Sequence, residues 1–285
     1  MKVLVTGSSG FIGQSIVRLL TRKGVDNITH CRSAESAMPN QFVWDLESEE
    51  LACDKLLGVT DIVHCAGLAH DIKGAVDWNR YLRINCLASV ALLAAASEAG
   101  VKTFTYVSTV KAAGVDRGEQ VSPYTYSKIE AERMLFLLGK LLGLKVNVVR
   151  PALVYGPGMK GNLLALNALA SRLPFLSLSN IRNKKSLIHK DDLCEIIYAT
   201  MCSGFDQKTI IAAEDTTYST GEIFDAMRTN HRKKSCLELS LPLWILRRSS
   251  RGRKLMADTQ VSPNVRKMLK YATKRKFDEY CDGDF

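Results

Sequence analysis

Long apolar runs, paired cysteines and a secretory leader pattern are all missing from this chain of 285 residues. The apolar run Leu87–Ala96 is interrupted by Ser89 and closed by Glu98. It falls well short of the ~20 residues that a membrane helix needs. The first residues read as a strand, without the basic n-region, apolar h-region and cleavage site of a signal peptide. Eight cysteines (Cys31, Cys53, Cys65, Cys86, Cys194, Cys202, Cys236 and Cys281) stand singly. None forms C-x-x-C, and none has metal-finger spacing to a histidine. No RNP or zinc-finger pattern occurs, and no Gly/Ser linker, internal repeat or low-complexity tract. These absences predict a cytoplasmic protein with buried, reduced thiols, no metal and no nucleic-acid partner.

What is present suits a large core, built as one big domain or two lobes. Hydrophobic residues make up 46% of the chain and charged residues 24%. The net charge of +10 is uneven: residues 226–285 hold 15 Lys/Arg against 6 Asp/Glu, +9 of the total. So basic a C-terminal lobe suits a polyanionic ligand or an acidic membrane surface, or is simply solvated. Within it, LPLWILRRSSRGRK reads either as an interfacial segment, an apolar turn followed by five basic residues, or as a lobe helix with a solvated basic end.

Strand-like and helix-like stretches alternate through the first 150 residues. KVLVT, NITHC, DIVHCAG, TFTYVST and KVNVVRP read as strands. GFIGQSIVRLLTRKG, DWNRYLRINCLASVALLAAASEAG and YTYSKIEAERMLFLLGKLLG read as helices. Short apolar strands between amphipathic helices predict a parallel sheet covered on both faces, an α/β, Rossmann-type doubly wound fold. The predicted nucleotide-binding domain covers residues 1–155, its sheet completed by later segments at about 185–215. Residues 156–285 form a smaller, mostly helical, discontinuous substrate lobe.

Gly7, Gly10 and Gly13 stand between the first strand and the first helix. The first glycine permits a tight turn, the second a close approach to a pyrophosphate, the third a helix seated tight on its strand. With Ser9, Phe11 and Ile12 they place phosphates on the unpaired N–H groups of the helix start. The second strand, NITHCRS, ends without Asp or Glu and offers Arg32 instead. A guanidinium there binds a 2′-phosphate, which favours NADP(H) over NAD(H). Asp45 and Leu46 fall where adenine lies, and Ala66, Gly67 and Pro151 along the rest of the cofactor.

The stretch SPYTYSK adds chemistry. Tyr124 and Lys128 are four apart on a predicted helix and share a face. A neighbouring ammonium favours the phenolate and lowers a tyrosine pKa of about 10 toward the range of general acid–base catalysis. Tyr126 has Glu130 at that spacing and gains no such help. Ser108 and Thr109 end a strand where parallel-sheet sites lie, and either hydroxyl suits a substrate oxygen or a plain turn.

VTGSSGFIG, DIVHCAG, YVST, YTYSK, RPALVYGPG and KSLIHKDDL, in this order over residues 3–193, resemble the extended short-chain dehydrogenase/reductase family in its nucleotide-sugar epimerase/dehydratase branch. The resemblance implies that Thr109 grips the reacting oxygen and that Tyr124 is the general acid/base. It implies that Lys128 holds the nicotinamide ribose and tunes the tyrosine. It further implies a second lobe that binds a nucleotide diphosphate, with Lys185 where members often carry an arginine, Asn162 at a substrate-contacting position and His70 near the sugar. Members commonly dimerise through the helices that begin here near Asp77 and Pro123.

Three reactions share such a site. A 4,6-dehydratase of the family carries an Asp-Glu pair after the catalytic Thr, where this chain has Val110 and Lys111. Dehydration is thereby set aside. A 4-epimerase acting on a UDP-hexose or UDP-N-acetylhexosamine for surface polysaccharides, and an NADPH-dependent 4-ketoreductase, both remain. An NADP sensor without chemistry is a third class, and it has no need of the Thr109/Tyr124/Lys128 set.

Overall fold

A computed structural model of the chain describes residues 1–33, 41–47, 51, 53–69, 77–117, 121–173, 175–231, 239–240, 244 and 248–280. His70 and residues 241–243 and 245–247 of the basic stretch lie outside the described residues. The first elements are β1 (Lys2–Thr6), α1 (Phe11–Arg22), β2 (Asp26–Cys31), β3 (Phe42–Val43), β4 (Asp61–His64), α2 (Trp78–Leu82), α3 (Ala88–Glu98), β5 (Thr103–Val107), α4 (Pro123–Leu142) and β6 (Lys145–Pro151). They are followed by β7 (Leu153–Tyr155), α5 (Gly161–Arg172), β8 (Leu176–Ser177), β9 (Lys185–His189), α6 (Lys190–Cys202), β10 (Lys208–Ala212), β11 (Thr217–Tyr218) and α7 (Thr220–Asn230). Two compact units result, Met1–Pro151 with Cys194–Ile211 and Val265–Tyr271, and Ala152–Leu193 with Ala212–Asn264 and Ala272–Phe285.

The first unit is built on a seven-stranded sheet of order β3-β2-β1-β4-β5-β6-β10. Strands β1 to β6 pair in parallel. Val3, Leu4, Val5, Ile62, Val63, Phe104, Val146, Val148 and Val149 are almost fully buried, as strands covered on both faces require. Chain order reverses at β1, which lies between β2 and β4. Ligands of such sheets bind at the carboxyl ends of the strands beside that reversal. The doubly wound fold expected from the sequence is the one observed. Helix α4 starts on a Ser122 side-chain cap with Pro123 in its first turn and ends at Gly143 with φ 69°, each a favoured device for that terminus.

One predicted helix is interrupted. Between α2 and α3 the backbone makes a π-helical turn over Arg83–Leu87. Such a turn frees a carbonyl from its usual partner. Within this turn the Asn85 carbonyl accepts from Ser89 Oγ at 2.8 Å and Tyr106 Oη at 3.1 Å.

In the second unit β9 pairs in parallel with β7 and antiparallel with β11. Glu214 is buried there. It accepts from Tyr218 Oη at 3.2 Å and from the Phe277 N–H at 3.4 Å. Burial raises its pKa from 4.5 to about 7, more than these hydrogen bonds lower it. The folded chain therefore keeps a proton that the unfolded chain releases near 4.5. Stability from this group is complete below that pH and is lost as pH rises through 7, by at most about 3 kcal/mol. Glu214→Gln is expected to raise Tm relative to the parent at pH 8 and not at pH 5, by calorimetry. An equal difference at both pH values contradicts this.

Candidate active site

The turn from β1 into α1 is held by backbone contact. Gly7 has φ 65°, and a Cβ on it would lie 2.7 Å from the Ala66 nitrogen. A Cβ on Gly13 would lie 2.1 Å from the Gly7 carbonyl oxygen, so α1 rests on the turn itself. On Gly10 an added Cβ meets only that same oxygen, at 3.0 Å. Gly10 is the N-terminal cap of α1, with no side chain capping it and no acidic residue in the first turn. Open space at Gly10 and uncapped helix-start N–H groups fit an anionic pyrophosphate.

The residues around this turn are placed as follows. Ser9 is exposed, Phe11 and Ile12 are half-buried, and Arg32 is exposed just past β2. Asp45 is exposed, Leu46 is half-buried, Ala66 and Pro151 are buried and Gly67 is exposed. His30 is fixed behind the loop: its Nε2 bonds the Trp44 carbonyl at 2.7 Å, and its Nδ1 accepts from the Gly7 N–H at 3.4 Å. Burial lowers its pKa and keeps it neutral.

At the carboxyl end of β5, Thr109 is buried and hydrogen-bonded to the Tyr124 hydroxyl. The Tyr124 ring lies edge-on to Tyr81, with centroids 6.3 Å apart. Lys128 is 4% exposed; its Nζ donates to the Val107 carbonyl at 3.0 Å and sits 4.4 Å from the centre of the Tyr106 ring. Thr109 thus meets Tyr124, and Lys128 stands one turn further along α4 with its ammonium on the Val107 carbonyl and the Tyr106 ring.

The structure corrects the expected electrostatics. Burial pushes the Tyr124 phenol up to about 12, against the lowering from its bond with Thr109. The groups acting on it beside burial are Thr109, which lowers it, and Tyr81, which raises it; the Lys128 ammonium donates to the Val107 carbonyl and sits over the Tyr106 ring. Burial also pushes Lys128 itself down to about 8, opposed by Cys65 and Glu132. At neutral pH the phenol therefore carries its proton.

Other expected groups have different partners. Ser108 donates its hydroxyl to the Glu132 carboxylate, so it is engaged within the fold. In the second unit, Asn162 is exposed at the start of α5. Lys185 is buried there and donates its ammonium to the Ala257 carbonyl at 2.9 Å. An ammonium has three N–H donors, and this contact takes one of them.

Asn85 was invisible to motif reading. Its side-chain amide pairs with the Leu68 backbone in both directions, at 2.7 and 3.0 Å, and donates to Ser127 Oγ at 3.0 Å. Ser127 in turn donates to the Tyr124 carbonyl at 2.8 Å. One buried amide thus ties the loop after β4 to the helix that carries Tyr124 and Lys128. The only available signal was a polar residue inside an apolar helical stretch.

Residues 3–211, well over half of the chain, match the NAD dependent epimerase/dehydratase family. The chain belongs to that family. Among characterised relatives, it is 33% identical over 215 residues to the UDP-glucose 4-epimerase of Vibrio cholerae, covering 68% of this chain and 65% of that protein. It is 28% identical over 211 residues to the 3-beta-hydroxysteroid dehydrogenase of Mycolicibacterium neoaurum, covering 66% and 58%. The chain therefore spans less than two thirds of the length of either relative. The UDP-glucose 4-epimerase of Thermotoga maritima, solved with UDP-glucose, superposes with a TM-score of 0.80 at 21% identity, over 99% of this chain and 96% of that one. That likeness establishes a shared epimerase/dehydratase-family fold. Among the described residues, no helix is long and apolar enough to cross a membrane.

Proposed function

We propose that this family member is an NAD(P)-dependent nucleotide-sugar enzyme acting at C4 of a UDP-hexose or UDP-N-acetylhexosamine, in first place as a 4-epimerase that serves surface-polysaccharide precursors. The observation that carries the reading is the hydroxyl–phenol–ammonium set of Thr109, Tyr124 and Lys128 at the end of β5, in a chain 33% identical to the Vibrio cholerae epimerase. Gly7, Gly10 and Gly13 with the start of α1 would hold the cofactor pyrophosphate, Arg32, Asp45 and Leu46 the adenosine end, and Ala66, Gly67, Lys128 and Pro151 the remainder. The nicotinamide, when bound, supplies hydride transfer. Thr109 orients the sugar oxygen and Tyr124 exchanges a proton with it.

A 4-ketoreductase using NADPH is the second reading, and two observations favour it. A phenol with a pKa of about 12 starts protonated, the form that donates to a ketone oxygen. An exposed Arg32 follows β2 where an acidic residue would suit NAD. The polar half of the ligand is assigned to the basic second lobe through Asn162 and Lys185, whose ammonium bonds the Ala257 carbonyl with one of its three N–H groups. A homodimer is supported by exposed apolar residues on the helices, Trp78 and Leu87 on one side and Tyr126, Met134, Leu137 and Leu141 on α4.

The test is to denature purified protein, identify any released nucleotide, and assay UDP-sugars with and without NADPH. Retained NAD with interconversion of C4 epimers supports the epimerase. An empty protein that consumes NADPH only with 4-keto nucleotide sugars supports the reductase. No turnover of either substrate class defeats both. Sedimentation of the same sample as a monomer removes the dimer.

A further inference from the structure

Helix α4 presents Tyr124, Lys128 and Glu132 at successive turns of one face. The exit of β5 presents three consecutive residues to that face, and each engages one of them. The Val107 carbonyl accepts from Lys128 Nζ at 3.0 Å. The Ser108 hydroxyl donates to the Glu132 carboxylate. Thr109 bonds Tyr124.

The middle contact is extended to the next strand. Arg150, at the end of β6, donates from Nε to both Glu132 oxygens, at 3.0 and 3.1 Å, and from Nη2 at 2.5 Å. The Ser108 N–H also donates to the Val149 carbonyl at 2.8 Å. Glu132 is 3% exposed and the Arg150 side chain is half-buried, so this is a largely buried, bidentate ion pair rather than a surface bridge.

Resting on the function proposed above, we propose that Ser108, Glu132 and Arg150 form a positioning clasp that sets the register of the β5 exit against α4. The clasp holds Thr109 against Tyr124 and the Val107 carbonyl against Lys128. None of its three members touches the reacting atoms; they act through their neighbours. A slip of the strand exit along α4 would part the Thr109 and Tyr124 hydroxyls, and small displacements at such sites cost much of the rate.

Glu132 has an electrostatic part as well. The groups facing Lys128 are Cys65 after β4, Tyr106 on β5 and Glu132 on its own helix, with buried His64 on β4 sensing its charge. Glu132 is the carboxylate among them, and it favours the ammonium. Removing it leaves the Arg150 guanidinium uncompensated, so Lys128 loses its proton at a lower pH.

Three variants test the clasp. Glu132→Gln is expected to lower kcat about ten- to hundred-fold, to leave KM within about two-fold, and to move the alkaline limb of kcat to lower pH. Glu132→Asp restores part of kcat. Ser108→Ala keeps the ion pair and loses only the strand contact, so it lowers kcat several-fold with a Tm drop of only a few degrees and guards against a Glu132 variant that does not fold. The Lys128 titration, followed by NMR of labelled lysine in the cofactor-free protein, falls by about half a pH unit or more in Glu132→Gln. That shift without turnover by either protein leaves the clasp standing and defeats the assigned reaction. Ser108→Ala with parental kcat, or a Lys128 titration unmoved in folded Glu132→Gln, overturns the clasp.

Discussion

Tyr124→Phe is expected to abolish turnover by about two to four orders of magnitude while leaving the fold and the cofactor affinity as they were. The aromatic ring stays, with its edge-on contact to Tyr81 at 6.3 Å, so packing is conserved. The hydroxyl that is lost makes one internal bond, to Thr109, worth about 1 kcal/mol. What disappears is the proton itself. Burial raises the phenol to about 12, so at neutral pH the parent holds a proton where the variant holds none. Steady-state rates with C4 epimers and with 4-keto sugars, beside Tm and nucleotide affinity, decide the matter. A Phe variant retaining more than about a tenth of the parental kcat removes Tyr124 from the chemistry. Thr109 separates the oxygen grip from the proton: Thr109→Ser keeps the hydroxyl that bonds Tyr124 and retains more activity than Thr109→Ala.

The reach of sequence reading follows from what each feature depends on. Strands β1, β4, β5 and β6 are legible because two-sided burial demands continuous apolar runs, and α4 because its Ser122-Pro123 start and Gly143 end are local signals. Strand β3 is only two residues long, Phe42–Val43, too short for any periodicity. The π-helical turn at Arg83–Leu87 hides inside the long apolar helix pattern because it changes hydrogen bonding without changing composition. At the site, the spacing of Tyr124 and Lys128 places both on one face, which is a statement about backbone. Where the ammonium points was decided by the Val107 carbonyl, 21 residues away. The same holds for Ser108, whose hydroxyl reads as a substrate contact until Glu132 appears, 24 residues on. Partners of that kind are products of the fold, and no local pattern announces them.

Gly13→Ala carries the largest expected loss of stability. Its Cβ would lie 2.1 Å from the Gly7 carbonyl oxygen, 2.7 Å from the Gly7 carbonyl carbon and 2.9 Å from the Ser8 Cα. All three are backbone atoms, so no rotamer change relieves the clash. Helix α1 must lift from the turn, and Ile16, Leu19 and Leu20, buried on the same helix, lose packing with it. Overpacking of this kind costs about 1–3 kcal/mol or more, a Tm drop of roughly 2–12 °C for a chain of this size. Gly10→Ala is the control. There the added Cβ meets only one oxygen at 3.0 Å, so a small shift accommodates it and Tm falls little. Its methyl group occupies the open side of the turn, where a pyrophosphate would approach, so nucleotide affinity drops instead. Calorimetry and nucleotide titration on the two variants thus separate the two duties of the loop. If Gly13→Ala melts with the parent, the seating of α1 on Gly7 is wrong. If Gly10→Ala binds nucleotide with parental affinity, the pyrophosphate lies elsewhere.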